Sequence, residues 1–292
     1  MYGTPRGTAH GTSRASRGRA AESGNSAAPR PLVLGMTTVE ILYVGGPTSV
    51  VEIGGVRLLT DPTFDAPGEY PIGSRKLVKT AGPALPAAEI GPVDAVLLSH
   101  DQHPDNLDTS GRTFLRGAPV TLSTASAYDR IGAPVRALPS WEHVELPRPG
   151  GGTLRVTAVP AQHGPDGSEP VVGEVTGFVL SGDGLPKVYI SGDNASLDVV
   201  RAIAGREGPF DVAVLFAGAA RTPLVPDAPL TLTSEDAARA ADILGARHVV
   251  PLHFEHWGHF TQDGGTLTKA FAEAGLTDRL HLLEPGASVR LP

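Results

Sequence analysis

The sequence contains no cysteine in its 292 residues, and this absence limits the kinds of site that it can build. Disulfide bonds and thiolate zinc sites are excluded, so any metal must be held by imidazole and oxygen ligands. Aromatic residues are also scarce, at 5% of the chain, whereas 36 glycines and 27 prolines indicate many turns and short strands. A helical bundle is therefore not expected.

Long apolar runs and an excess of basic residues are missing as well. No apolar stretch approaches the roughly 20 residues needed to cross a bilayer. The net charge is −7, which gives no support for a nucleic-acid surface. We therefore expect a soluble, cytoplasmic protein that binds neither membrane nor nucleic acid. The sequence leaves the oligomeric state open, a homo-oligomer included.

The N-terminal segment differs from the rest of the chain. Residues 1–35 contain five arginines, one glutamate and almost no large apolar side chain. Such a segment cannot bury enough apolar surface to offset the entropy lost on ordering, so we predict that residues 1–35 are a disordered tail. It also lacks the apolar core of a secretory signal. The remaining 36–292 carry 19 basic and 30 acidic residues, a net charge of −11, and are predicted to form one domain.

Strand and helix signals alternate through this domain. β-branched runs separated by glycine predict a meander of antiparallel strands at its start, and a loop rich in proline and glycine follows over 62–92. Helices are concentrated in the second half, and the α/β class with sheets inside and helices outside fits best. The predicted strands cover 39–44, 48–53, 56–60, 93–99, 152–161, 173–181, 187–191, 211–216, 247–253 and 287–291. The predicted helices cover 124–132, 195–207, 233–245 and 267–275.

Polar side chains with metal-binding capacity follow five of the predicted strands. These side chains are Asp61, His100, His163, Asp193 and His253. A single histidine after a strand is usually a hydrogen-bonded loop residue, but strand ends at one edge of a sheet converge in space. Three or four imidazoles with two carboxylates suit Zn²⁺, Mn²⁺ or Fe²⁺. Asp193, on its glycine turn, is the candidate to bridge two ions.

The order of these residues resembles the metallo-β-lactamase superfamily. The resemblance rests on "GGPTSVVEIGGVRLLTDPTFD", "LLSHDQHPDNLD", "VTGFVLS", "VYISGDN" and "PLHFEHWGHFT", and it spans 39–291. Within the superfamily the chain looks most like the ascorbate-6-phosphate lactonase-like hydrolases. The resemblance implies a four-layer αβ/βα sandwich, a metal site at one edge of its two sheets, and hydrolysis by a metal-bound hydroxide. The metal ligands it implies are His100, His103, Asp105, His163, Asp193 and His253.

The motif within "LLSHDQHPDNLD" departs from the superfamily pattern His-x-His-x-Asp-His. Without a gap, Gln102 falls on the second histidine and Pro104 on the aspartate. With one inserted residue, His103 takes the second histidine, Asp105 the aspartate and Asn106 the last histidine. Three hypotheses remain open. His103 is the ligand and both metal positions survive; or Gln102 replaces a ligand and one position is weak; or the chain is a non-catalytic member of the fold.

Roles for the remaining polar residues follow from the resemblance. Asp105 is the predicted ligand and proton acceptor that orients the attacking water. Asp61 is expected to fix a ligating imidazole through its other N–H, or else only to start a turn before proline. Arg221 either clamps an anionic substrate or pairs with a surface carboxylate.

The stretch 253–260 holds three histidines, a glutamate and a tryptophan. Its members Glu255, His256, Trp257 and His259 are expected to line the substrate mouth, or else to form a polar loop with the tryptophan packed in the core. His259 is the residue expected to contact substrate. The other histidines of the domain, His143, His248 and His281, are interpreted as structural.

The predicted function is a metal-dependent hydrolase of a small ester, lactone or phosphoester. It would hold one or two divalent transition metals, with Zn²⁺ favoured over Mn²⁺ and Fe²⁺, and act on a small-molecule substrate. Two alternatives belong to other classes: a degenerate binding protein, suggested by Gln102, and an oxygen-using iron enzyme.

Overall fold

The computed structural model of the protein describes residues 38–292. The predicted disordered tail, residues 1–35, lies outside these residues, so that interpretation stays a prediction. Within residues 38–292, no helix is long and apolar enough to cross a membrane.

Fifteen strands and six α-helices make up the regular structure of residues 38–292. The strands are β1 (Val39–Gly45), β2 (Thr48–Ile53), β3 (Val56–Thr60), β4 (Gly68–Ile72), β5 (Arg75–Lys79), β6 (Ala95–Leu97), β7 (Thr121–Ser123), β8 (Val135–Ala137), β9 (His143–Pro147), β10 (Thr153–Pro160), β11 (Thr176–Ser181), β12 (Val188–Ile190), β13 (Val212–Phe216), β14 (His248–Leu252) and β15 (Ser288–Leu291). The helices are α1 (Thr109–Leu115), α2 (Ala125–Ile131), α3 (Glu169–Val172), α4 (Leu197–Glu207), α5 (Ser234–Ile243) and α6 (Gly264–Glu273).

Two large sheets form the centre of the domain. One has seven strands in the order β15-β1-β2-β3-β6-β7-β8, and the other has six in the order β14-β13-β12-β11-β10-β9. The largest apolar cluster joins side chains of both sheets, among them Ile41, Leu58, Val156 and Phe178. The sheets therefore pack face to face, because each turns one apolar face towards the other.

Helices cover the outer face of each sheet. On the seven-stranded sheet, Leu115 of α1 and Ala127 of α2 join a second cluster of buried side chains. On the six-stranded sheet, apolar residues of α4, α5 and α6 pack against Ala213 and Leu215, so β13 is buried on both faces. This arrangement confirms the predicted α/β class and its four layers, helix–sheet–sheet–helix.

The parallel parts of the sheets explain why the polar strand ends meet. In the seven-stranded sheet β3 runs parallel to β6, and in the six-stranded sheet β12, β13 and β14 are parallel. β10 has the same direction as β12 because both are antiparallel to β11. The carboxyl ends of all these strands therefore lie at one edge of the sandwich, as the sequence predicts.

Two predictions about local structure are wrong. The stretch 62–92 is not only a loop, because β4 and β5 form a hairpin that is attached to the loop after β14. The Thr80 amide donates to the His256 carbonyl at 2.7 Å, and the Gly258 amide donates to the Val78 carbonyl at 2.8 Å. In α4, Val200 and Ile203 are buried, whereas the sequence of 195–207 predicts a face of Val199, Ala202 and Ile203, so only Ile203 of that face is confirmed. Both outcomes depend on tertiary partners that a local pattern does not specify.

Candidate metal centre

Three imidazoles and one carboxylate meet where β6, β10 and β12 end. We call this set the three-histidine group: His100, His103, His163 and Asp193, whose ligand atoms all lie within 4.8 Å of one another. Nδ1 of His103 is 3.0 Å from Nε2 of His100 and 3.4 Å from Nε2 of His163. Ligands at about 2.0–2.1 Å from a tetrahedral zinc ion stand roughly 3.3 Å apart, so this spacing fits a metal ion.

A second set lies beside the first. The two-aspartate group consists of Asp105, Asp193 and His253. Nε2 of His253 is 3.4 Å from an oxygen of each of the two aspartates. The backbone of His253 has a φ of 57°, in the left-handed region that side chains other than glycine rarely adopt. Strain of this kind concentrates at functional sites, where the surrounding structure holds it.

Asp193 belongs to both groups and offers a different oxygen to each. Its Oδ2 lies 3.6 Å from His163 Nε2 and 3.9 Å from His100 Nε2, whereas its Oδ1 lies 3.4 Å from His253 Nε2. This is the geometry that a bridging carboxylate requires. The ligand roles themselves remain predictions, but the structure brings together all six residues that the sequence nominates as ligands.

Gly192 allows Asp193 to reach this position. Its φ is +56°, and a Cβ there would lie 2.6 Å from the Thr176 carbonyl and 2.9 Å from the Ser99 Cβ. The turn after β12 therefore passes so close to the neighbouring strands that no side chain fits.

Hydrogen bonds fix the orientation of two imidazoles in the three-histidine group. His163 donates from Nδ1 to the Leu230 carbonyl at 2.8 Å, which leaves its Nε2 free to bind a metal. The Ser99 hydroxyl lies 2.9 Å from Nδ1 of His100 and itself donates to Asp61 at 2.7 Å. Asp61 thus acts on His100 through the Ser99 hydroxyl, and the direct contact that the sequence predicts is wrong. The reason is that the Ser99 side chain lies between them, held by a second bond from its amide to Asp61 at 2.6 Å.

Burial sets the protonation of these groups. It lowers the pKa of His100 well below its usual value, and burial together with the neighbouring His163 lowers that of His103 to about 4. Both are therefore neutral at pH 7, the form that binds a metal. Burial raises the pKa of Asp61 to about 7, although the two bonds from Ser99 oppose this. Burial alone would lower the pKa of His253, but the carboxylates of Asp193 and Asp105 raise it to about 10, so an ion that binds there would displace a proton from His253.

The structure distinguishes His103 from Gln102. The His103 ring lies among the histidines, with its centroid 4.9 Å from that of His100 and 5.2 Å from that of His163. The side chain of Gln102 accepts a hydrogen bond from the Asp101 amide. It also packs against Gly173 so closely that a Cβ added to Gly173 would lie 2.1 Å from Nε2 of Gln102. The gapped reading of the motif therefore matches the observed geometry.

Asn106, which takes the place of the last histidine in the motif, contacts two carboxylates instead. Its Nδ2 donates to Asp61 Oδ2 and to Asp193 Oδ1, each at 3.3 Å. An amide donor at this point holds the two carboxylates in position.

The loop after β14 divides into an inner and an outer part. Nε2 of His259 lies 3.0 Å from Asp105 Oδ2, and His259 lines the pocket over the metal centre. Trp257 is buried and packs against Lys79, whose Nζ is 5.4 Å from the ring centroid. His256 lies against Gly45. Of the four residues expected at the substrate mouth, only His259 lines the pocket, and buried Trp257 instead matches the alternative of a polar loop with the tryptophan packed in the core.

The pocket has a cavity volume of about 40 Å³ and reaches the metal centre through His103, Asp105, His163, Asp193 and His259. Arg221 lines it, as the sequence expects of a residue that follows β13. Arg75 and Leu77 of the β4–β5 hairpin line it as well. Sequence reasoning missed these two because they lie in the stretch interpreted as loop; Gly73, between the short runs 68–72 and 75–79, was the available turn signal.

The residues present fit a divalent metal. Oδ1 of Asp105 and Nε2 of His253 are buried and have no hydrogen-bond partner among the described residues. Buried polar atoms are normally paired, so unpaired ones that converge are expected where an ion completes the site.

The metal centre lies within a region of recognisable sequence. Residues 56–254 match the family described as a beta-lactamase superfamily domain. The chain is similar to the UPF0173 metal-dependent hydrolase PF1764 of Pyrococcus furiosus, with 25% identity over 258 residues, 87% of this chain and 100% of that protein. It is 29% identical over 262 residues to a UPF0173 metal-dependent hydrolase of Rubrobacter xylanophilus, covering 84% and 94% of the two chains.

A solved structure shows the same fold. It is the isothiocyanate hydrolase from Delia radicum gut bacteria, which matches with a TM-score of 0.72 and 20% identity over 86% of this chain and 98% of that one.

Proposed function

Because this chain belongs to the beta-lactamase superfamily domain family, we propose that it is a metal-dependent hydrolase that cleaves a small ester, lactone or phosphoester. The observation that carries the proposal is the position of Asp193, which offers one oxygen to each of two adjoining ligand groups. The named relatives, described as metal-dependent hydrolases, support the reaction class.

The three-histidine group and the two-aspartate group would each hold one ion, with Asp193 between them. Divalent ions bound there would lower the pKa of a water molecule to about 7 and stabilise negative charge on the polarised oxygen of the substrate. Imidazole-rich ligands favour Zn²⁺ over Mn²⁺ and Fe²⁺ for the first group.

The remaining steps belong to side chains of this chain. Asp105, which lines the pocket at its inner end, accepts a proton from the attacking water and orients it. His259, whose Nε2 is 3.0 Å from Asp105, holds a proton beside the pocket and supplies it to the leaving group. The apolar side chains of Ile72, Leu77 and Leu230 around the opening limit the access of bulk water.

Metal removal tests this function. Protein dialysed against a chelator is assayed on 4-nitrophenyl acetate, a γ-lactone and bis(4-nitrophenyl) phosphate before and after Zn²⁺ or Mn²⁺ is restored. We expect activity on at least one probe, its loss without metal, its return with metal, and the same rate without oxygen. Circular dichroism controls for retained folding.

The three probes also separate the lactonase-like resemblance from an esterase or phosphodiesterase. The proposal is contradicted if the freshly purified protein contains no metal and its activity does not rise when either ion is added. A requirement for oxygen would point to the iron-dependent alternative.

A further inference from the structure

Two arginines stand at the opening of the pocket over the metal centre. Arg75 is half-buried on β5 and Arg221 is exposed after β13, whereas Asp105, His163 and Asp193 at the bottom are buried. The arginines therefore lie at the outer end of the same pocket whose inner end is the metal centre.

Neither arginine is neutralised by a carboxylate within residues 38–292. Arg75 donates from Nη1 to the Thr222 hydroxyl at 2.6 Å, and Arg221 donates from Nη1 to the Pro226 carbonyl at 3.4 Å. The domain is strongly acidic, and arginines elsewhere in it, such as Arg57 and Arg155, pair with glutamates. Two unpaired guanidinium groups at one opening are a site for an anion.

The segments that carry the two arginines are anchored close to the metal centre. The Arg221 amide donates to the His259 carbonyl at 3.0 Å, which ties its backbone to the residue next to Asp105. The hairpin that carries Arg75 is anchored by buried Lys79, whose Nζ is 3.3 Å from Asp108. The positions of the two arginine backbones relative to the metal centre are thereby set by the fold.

The wall between these two ends is apolar. Ile72 and Leu77 come from the hairpin, while Val172, Ala220 and Leu230 form a small buried cluster on the opposite side. A short hydrocarbon segment fits such a wall, because the apolar side chains offer it no hydrogen-bonding groups.

We propose that Arg75, assisted by Arg221, binds an anionic group of the substrate that is separate from the bond being cleaved. The substrate is then an ester or lactone with a carboxylate or phosphate at the far end of a short apolar chain. This inference rests on the proposed hydrolase function and adds the substrate class and the residues that select it. Thr222 is a positioning residue that orients the Arg75 guanidinium.

Two esters whose acyl chains differ only by a terminal carboxylate test the inference. Mono-4-nitrophenyl glutarate carries a terminal carboxylate, and 4-nitrophenyl butyrate does not. We expect Arg75→Gln to lower kcat/KM for the glutarate ester about 10- to 100-fold, mainly through KM, because a charged hydrogen bond made equally in ground and transition states is lost. The butyrate ester should change less than about twofold, which also shows that the variant folds.

Matched variants define the specificity of the effect. Arg136→Gln removes an equally positive, exposed arginine from β8 and should leave both esters unchanged. Arg75→Lys should recover part of the loss, since it restores charge without the planar fork. Thr222→Val should raise KM for the glutarate ester alone, by a smaller factor than Arg75→Gln.

A binding measurement separates this inference from hydrolysis itself. Butyrate, glutarate and 4-phosphonobutyrate are titrated calorimetrically into the metal-loaded protein and into Arg75→Gln. We expect tighter binding of glutarate or the phosphonate than of butyrate, with the preferred one identifying carboxylate or phosphate, and loss of this preference in the variant. Equal binding of all three, or an unchanged preference in Arg75→Gln, overturns the inference. If neither ester is hydrolysed but the binding preference is intact, the hydrolase proposal is contradicted and the anion-binding inference is not.

Discussion

The two ligand groups share Asp193 but are built differently. The three-histidine group is rich in imidazoles, and two of them are fixed through Ser99 and the Leu230 carbonyl. In the two-aspartate group, His253 has no hydrogen-bond partner on either ring nitrogen among the described residues. The first group is therefore preorganised by the protein, whereas in the second a bound ion would be needed to give the His253 ring a partner. We expect the first group to bind its metal more tightly.

The largest effect is expected from the residue that both groups share. Asp193→Ala should remove a ligand from each group, abolish binding of both ions and lower activity at least about a thousandfold, since several kcal/mol of charge stabilisation are lost. Metal content by elemental analysis and kcat/KM on the best ester are the measurements.

His253→Ala is the matched control, because it removes a ligand from the two-aspartate group alone. It should leave about one metal per chain. Equal metal content in the two variants contradicts a shared role for Asp193.

A substitution at Ser99, which supports a candidate ligand without being one, should affect the metal affinity of only one group. Ser99→Ala breaks the link from Asp61 to His100, and we expect the metal affinity of the three-histidine group to fall about 10- to 100-fold. The second metal should be retained. Competition titrations with a chromophoric chelator resolve the two affinities. A uniform loss at both positions would show that Ser99 acts on the fold and not on His100.

The smallest effect is expected at position 102, where the sequence departs from the superfamily pattern. Gln102→His should leave metal content and activity within about twofold of the unchanged protein, because this side chain packs against Gly173 and not among the histidines. His103→Ala is the contrasting variant and should lose the metal of the three-histidine group. A gain in metal content on Gln102→His would show that position 102 is a ligand site after all.

Much of the fold was predictable because its signals are local. β-branched runs between glycines determined β1, β2 and β3, and Thr233 with the following acidic residues marked the start of α5. The β4–β5 hairpin was not predictable in the same way. Lys79, at the end of β5, pairs with Trp257 in the loop after β14, a partner almost 180 residues further along the chain. Arg75 was missed for the same reason.

The candidate ligands were predictable as residue types at strand ends, and their convergence followed from parallel strands. His100, His163, Asp193 and His253 each follow a strand in the sequence, and that order alone indicated a metal site. Which oxygen of Asp193 faces which group, and the hydroxyl between Asp61 and His100, emerged only from the folded chain.

Sequence by itself determined what this protein carries: a cysteine-free set of imidazole and carboxylate side chains, the candidate ligands, at the ends of buried strands. Only the tertiary structure decided which side chain of 100–103 faces the other histidines. The direction of a loop side chain depends on the space that distant segments leave for it. Gln102 packs against Gly173, whereas His103 lies beside His100 and His163. Strand patterns specify positions, but the direction of a loop side chain is set by its neighbours in space.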